Sequence, residues 1–282
     1  KLDGAILKKC DFTGAELSKA SLKRTVCKQC VFKQAYFRDV RADMPLFEEC
    51  DLSNADFSGA RLNQAVIQKG LFTAVNLSGA ELYLCIISGT YASKLVSYGA
   101  RFEKCVLKRL TLDKASLSGI STDATLLHTC SGKEVTLRGS DLFKFRISHD
   151  SAFPGLNLTG VTWNQGYCRK SCLAQAQMQG SSLKRTIFDS CDLNKANLNR
   201  TGLVRCRFLK CSLEGANLGY ANLHLASLRK SRLVEADMRG ANCFAVDFLH
   251  TVLGQTRMEG ANLKRSLLAG HEDALLEDGY IR

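Results

Sequence analysis

A large apolar residue returns every fifth position along almost the whole chain. Between Ser181 and Met238 the series runs Leu183, Phe188, Leu193, Leu198, Leu203, Phe208, Leu213, Leu218, Leu223, Leu228, Leu233 and Met238. Two places before each stands a small residue, as at Ser181, Thr186, Cys191, Ala196 and Thr201. A period of five matches neither the 3.6 of an amphipathic helix nor the 2 of an alternating strand. A short fixed period predicts a solenoid in which each unit buries its apolar face against the next.

From Leu2 to Ile147 the steps of five give 30 central slots, of which only Ser97, Thr122 and Gly132 are not apolar. From Phe153 to Leu268 the phase moves by one residue, and 24 further slots are all apolar. One residue is therefore inserted within Ser148-His149-Asp150-Ser151-Ala152, beside the turn chemistry of Pro154-Gly155. This predicts a first segment over 1–147, a phase-shift junction with a bulge or kink near 148–156, a second segment over 157–268 and a tail over 269–282. The tail leaves the period and carries Glu272, Asp273, Glu277 and Asp278, which suits a cap or a frayed end. The repeat is already running at residue 2 and the first residue is Lys1, so a preceding segment is expected. Thr90–Gly99 and Ser121–Val135 put poor residues in central slots and are expected to bulge as loops. Trp163, the single tryptophan, takes a central slot where it needs extra room and a partner for its N–H.

The triplets Ala196-Asn197-Leu198, Ala216-Asn217-Leu218, Ala221-Asn222-Leu223, Ala236-Asp237-Met238 and Ala261-Asn262-Leu263 carry a sharper signature. The chain resembles the pentapeptide-repeat family, whose pattern is A(D/N)LXX, and the resemblance runs over nearly its whole length. It implies an all-β, right-handed quadrilateral β-helix with four pentapeptides to a coil, or about 13 coils for 54 slots. The twenty-residue coil would stack Cys10, Cys30 and Cys50, Cys85 with Cys105, and Cys191 with Cys211, as thiol ladders.

That register changes the meaning of the thirteen cysteines. Twelve fall on inward slots, where a free thiol behaves as a small hydrophobe; Cys172 is the exception. Cys27-Lys28-Gln29-Cys30 has no second pair and reads as core, since a structural zinc site takes four ligands. Free core thiols suit a reducing compartment, so a bacterial cytoplasm is expected, with a translocated effector as the alternative. No run of eighteen apolar residues is present to span a membrane.

Function must then lie on the outward residues, those just before each central slot and the two after it. One face of the first segment carries Ile6, Val26, Leu46, Val66, Ile86, Val106 and Leu126, all aliphatic. Such a strip marks an interface for a protein partner or for a second copy of the chain. Of the net charge of +12, the part carried by the second segment lies along one side. Two adjacent faces of the second segment carry Arg169, Lys170, Lys184, Arg185, Arg205, Arg207, Lys210, Arg229, Lys230, Lys264 and Arg265, against Asp189 and Asp247 alone. A basic ridge suits an acidic partner. The outward aromatics there, Tyr167 and Phe244, are too few to favour single-stranded nucleic acid.

Nothing points to catalysis, a cofactor or a metal. The five histidines share no ligand spacing, and no phosphate-binding loop, dinucleotide fingerprint or nucleophile elbow occurs. The resemblance brings in scaffolds and adaptors, including domains of bacterial secretion-system accessory proteins and effectors. It also brings in topoisomerase-protecting DNA mimics, which are acidic where this chain is basic. The expectation is a non-enzymatic protein-interaction scaffold. The alternative is a nucleic-acid- or topoisomerase-linked protein acting through the basic ridge.

Overall fold

The computed structural model describes residues 1–268 as an all-β parallel solenoid, with no helix among them. The chain forms two compact units, Lys1–Ser140 and a second beginning at Asp141. Through the first unit, and in the second from Ala152 on, paired residues lie in parallel twenty positions apart: Ile6 with Val26, Asp51 with Leu71, Ile187 with Arg207, Asn217 with Asp237. Four pentapeptides therefore complete each turn. The cap or tail expected over 269–282 lies outside the described residues.

Each pentapeptide is a strand or single bridge followed by a tight turn. The turn closes when the small inward residue donates its N–H to the preceding central carbonyl, as Ala196 does to Leu193 (3.0 Å) and Ala216 to Leu213 (3.1 Å). The residue two after the central one adopts a left-handed conformation, with φ of 53° at Lys9, 59° at Lys19 and 56° at Lys195. That conformation costs a non-glycine residue about 1–2 kcal/mol. It is held because its N–H bonds to the adjoining turn, as from Lys9 to the Lys28 carbonyl (3.0 Å). Asp or Asn before the central residue helps fix the corner. Asp56 accepts the Ser58 N–H (3.0 Å), and Asn197 accepts that of Asn199 (3.1 Å). These are Asx turns, the physical reason for the D/N of the motif.

The inward slots fill the core. Phenylalanines stack rung on rung, with centroids 4.4 Å apart for Phe37 and Phe57 and 5.0 Å for Phe188 and Phe208. The small inward position has a second role that composition did not reveal. At many positions where it is Cys, Ser or Thr, its side chain donates to the central carbonyl 23 residues earlier. Cys85 reaches Leu62 (3.2 Å), Ser140 reaches Leu117 (3.1 Å) and Thr201 reaches Met178 (2.9 Å). The thiols are thus hydrogen-bond donors as well as filling. All thirteen are free, and only Cys10 and Cys172 are less than fully buried. Cys191 Sγ lies 3.4 Å from Cys168 Sγ.

Two loop expectations are corrected. Thr90–Gly99 and Ser121–Val135 stay in the ladder, through the bridges Tyr91–Thr111 and Val96–Ser116 and the strand Ser121–Asp123. Ser97 and Thr122 remain buried in their central slots. Gly132 brings its backbone so close to that of Leu112 that an added Cβ would lie 2.9 Å from the carbonyl carbon. The main-chain ladder holds the register whatever the side chain.

The pairing offset changes by one residue between Ser148 and Ala152. Arg146 pairs with Tyr167, 21 positions on, whereas Ala152 pairs with Cys172, 20 positions on. Two consecutive left-handed residues, His149 and Asp150 (φ 54° each), absorb the extra length. Ser151 then turns back inward and donates to the Ser148 carbonyl (2.8 Å). Trp163 finds its partner in the Phe145 carbonyl, 3.0 Å from Nε1.

Candidate interaction surfaces

The strands Ile6–Lys8, Val26–Lys28, Leu46–Glu48, Val66–Gln68, Ile86–Ser88, Val106–Lys108 and Leu126–His128 pair in order, each in register with the next. This aligns Ile6, Val26, Leu46, Val66, Ile86, Val106 and Leu126 in one outward column of the first unit. At the usual strand spacing of about 4.8 Å, its six steps span about 29 Å. Ile6 and Ile86 are 70% and 42% exposed, and the other five are half-buried by their neighbours in the column.

The column is edged by charge. Lys8 and Lys28 stand beside one end and Lys108 beside the other, with Glu48 between. Lys28 Nζ lies 2.9 Å from Glu48, and this ammonium holds the Glu48 carboxyl below its usual range. Gln68 adds an amide hydrogen bond to the same carboxylate at 3.0 Å.

In the second unit all eleven ridge cations are exposed, but they divide into two kinds. Arg169 pairs with Asp189 (3.3 Å) and Arg229 with Asp247 (3.6 Å). Lys170, Arg207, Lys210 and Lys230 lie on that same side. The adjacent side carries Lys184, Arg185, Arg205, Lys264 and Arg265, none in an ion pair among the described residues, and no Asp or Glu occupies its outward positions from Thr162 to Arg265. The sequence presents the ridge as one surface; the carboxylates split it.

The aromatic content of this second side was underestimated. His224 and Phe244 are twenty residues apart, hence on successive rungs, and their rings stack at 5.3 Å and 25°. Arg265 lies over the Phe244 ring, 5.5 Å from its centroid. Twenty-residue spacing was the available signal, but a lone histidine and a lone phenylalanine do not show it. Below His224 the small Val204 leaves a shallow cleft of about 420 Å³, edged by Lys184, Arg185 and Arg205.

Among the described residues no group of three His, Cys, Asp or Glu is placed to hold a metal ion. No helix there is long and apolar enough to cross a membrane.

A family model for pentapeptide repeats matches residues 1–26, 46–89, 171–208 and 206–242, in eight copies. The chain belongs to the pentapeptide-repeat family. Among solved structures this pentapeptide-repeat chain is similar to HetL, a pentapeptide repeat protein involved in heterocyst differentiation regulation from the cyanobacterium Nostoc sp. strain PCC 7120. The identity is 20% over 100% of this chain and 91% of HetL, with a TM-score of 0.30. It is also similar to QnrB1, a plasmid-mediated fluoroquinolone resistance protein, at 14% identity over 81% and 92% of the two chains and a TM-score of 0.38. Rfr23 from Cyanothece 51142 aligns with 39% of this pentapeptide-repeat chain and 62% of its own, at 22% identity and a TM-score of 0.19. No curated protein matches the chain.

Proposed function

We propose that the protein is a non-enzymatic scaffold that docks another protein along the aliphatic column of its first unit. The observation that carries this reading is the column itself: seven aliphatic residues in direct register on an outward face, with no charged residue interrupting them. A contiguous apolar strip of this length on a soluble surface costs solubility unless something covers it. Charge at its edge favours a different protein over a second copy. In an antiparallel self-pairing centred on Val66, Lys28 of one copy would face Lys108 of the other, a like-charge contact. A partner with a matching apolar ridge and acidic flanks meets no such opposition.

The finer reading, an accessory protein or effector of a bacterial secretion system working from or beyond the cytoplasm, is supported by the resemblance of the repeat. Identification of the docked protein tests it directly.

The experiment is the double substitution Val66→Glu with Val106→Glu. Both side chains are half-exposed on the outer face, so the circular dichroism melt should stay close to that of the wild type. Light scattering after size exclusion reports self-association, and affinity capture followed by mass spectrometry reports a partner. The wild type should hold a stoichiometric protein that the variant releases. A complex that survives both glutamates sinks the proposal; loss of a homodimer instead makes the second copy the occupant.

A further inference from the structure

The basic corner of the second unit combines three features that an acidic protein surface would not need together. Lys184, Arg185 and Arg205 stand around the cleft at Val204 with no carboxylate paired to them among the described residues. One wall of that cleft is an aromatic ring. His224 stacks on Phe244 and lines the cleft together with Val204. The His224 main chain is pinned by Asn222, which accepts its N–H at 3.2 Å, and the Phe244 main chain in the same way by Asn242 at 3.3 Å. Asn242 in turn donates to Asn222 at 3.1 Å. The ring wall therefore rests on a hydrogen-bonded column rather than on a loop.

The cations also continue beyond the cleft. Lys264 and Arg265 lie on the same corner, four turns from Lys184 and Arg185, a span of about 19 Å at the usual strand spacing. A single small anion would use only one end of this array. A polymer with regularly spaced negative charges would use all of it.

We propose that this corner binds single-stranded nucleic acid, with one base stacked on the open face of His224, its phosphates on Lys184, Arg185 and Arg205, and the strand continuing toward Lys264 and Arg265. A positively charged track beside an aromatic platform is the pairing that single-strand binders use, because phosphates answer the cations and every base has a face to stack. A duplex keeps its bases stacked on one another and leaves the ring unused. An acidic peptide satisfies the cations and also leaves the ring unused. The site shares no residue with the aliphatic column, so its fate is independent of the docking reading.

The test is fluorescence anisotropy of the full chain with a fluorescein-labelled single-stranded oligodeoxynucleotide of mixed sequence, about twenty nucleotides long. Binding should saturate, and its affinity should fall with salt with a log–log slope of about −3, the release expected for about four neutralised phosphates of a single strand. Arg185→Glu with Arg205→Glu should weaken it about tenfold or more. His224→Ala should weaken it about tenfold and leave the affinity for poly-L-glutamate unchanged. Lys210→Glu with Lys230→Glu, on the neighbouring side, should matter far less. Absence of saturable binding overturns the proposal. So does poly-L-glutamate binding as tightly as the oligonucleotide with His224→Ala neutral for both, which would make the corner a dock for an acidic protein. A duplex of equal length binding equally well, or a mononucleotide binding as tightly as the oligonucleotide, overturns it too. Unchanged thermal melts of the variants separate loss of the site from loss of the fold.

Discussion

Gly166 exists in the shape of Trp163. It occupies the inward position where most other turns carry Ala, Ser, Thr or Cys, and a Cβ added there would run into the indole nitrogen and its two ring neighbours. The indole that this glycine admits is fully buried, donates to Phe145, and meets Phe145 and Phe188 edge-on at 6.0 and 5.6 Å. The extra room expected around the tryptophan comes from one missing side chain in its own turn.

Replacing Gly166 with Ala should therefore destabilise the second unit by about 1–3 kcal/mol, the usual cost of overfilling a close-packed core. The gain that Gly→Ala normally brings through the unfolded chain is smaller than that. Trp163→Leu alone should also destabilise, by leaving a cavity beside Gly166. The double substitution restores the common Leu and Ala of the other turns and should recover much of the loss. Guanidinium unfolding of the four proteins measures the coupling. Strictly additive losses would mean the two residues do not compensate one another.

Thr122 offers the opposite sign. It fills a central slot of the first unit at 6% exposure, and its hydroxyl has no hydrogen-bond partner. An unpaired buried hydroxyl carries its desolvation cost with no return. Thr122→Val keeps the β-branched shape and should raise stability by about 1 kcal/mol, read as a higher denaturation midpoint with unchanged slope. A lower midpoint would show that the hydroxyl is satisfied in solution.

The period of five reached most of the architecture because burial is written directly into it: Leu193, Leu198 and Leu203 need no neighbour to declare their direction. It located the insertion for the same reason, since one extra residue between Ile147 and Phe153 shifts every later slot. It erred at Ser97 and Thr122, where it took a polar side chain as the end of a ladder that main-chain hydrogen bonds continue to hold. The column Ile6 to Leu126 was legible because twenty-residue spacing follows from the coil. The His224–Phe244 stack was not, because unlike residues in one column carry no repeating letter. Nor was the split of the ridge, since Asp189 and Asp247 are too few to stand out in composition but lie within reach of Arg169 and Arg229. Hydrogen bonding by the thiols stayed hidden as well, because Cys, Ser, Thr and Ala all satisfy the demand for smallness.

Those thiols give the fold a pH limit with a definite direction. Burial pushes Cys206, Cys27 and Cys243 up from the ordinary 9.0 to about 12. Between these two values the unfolded chain ionises while the folded core keeps its protons, so the unfolded state binds fewer protons and stability falls as pH rises. Stability is unaffected below pH 9 and is lost progressively from pH 9 to about 12. At pH 10 each such thiol should cost about 1.4 kcal/mol. Cys206→Thr isolates one of them. Thr186 and Thr201 already occupy the same inward position and donate to the carbonyl 23 residues earlier, the bond that Cys206 makes to Leu183 at 2.6 Å. The variant should keep the fold at pH 7 and lose less stability than the wild type on going to pH 10, by about the cost of one thiol. Denaturation midpoints at the two pH values decide it, and equal losses in both proteins would show that Cys206 does not set the alkaline limit.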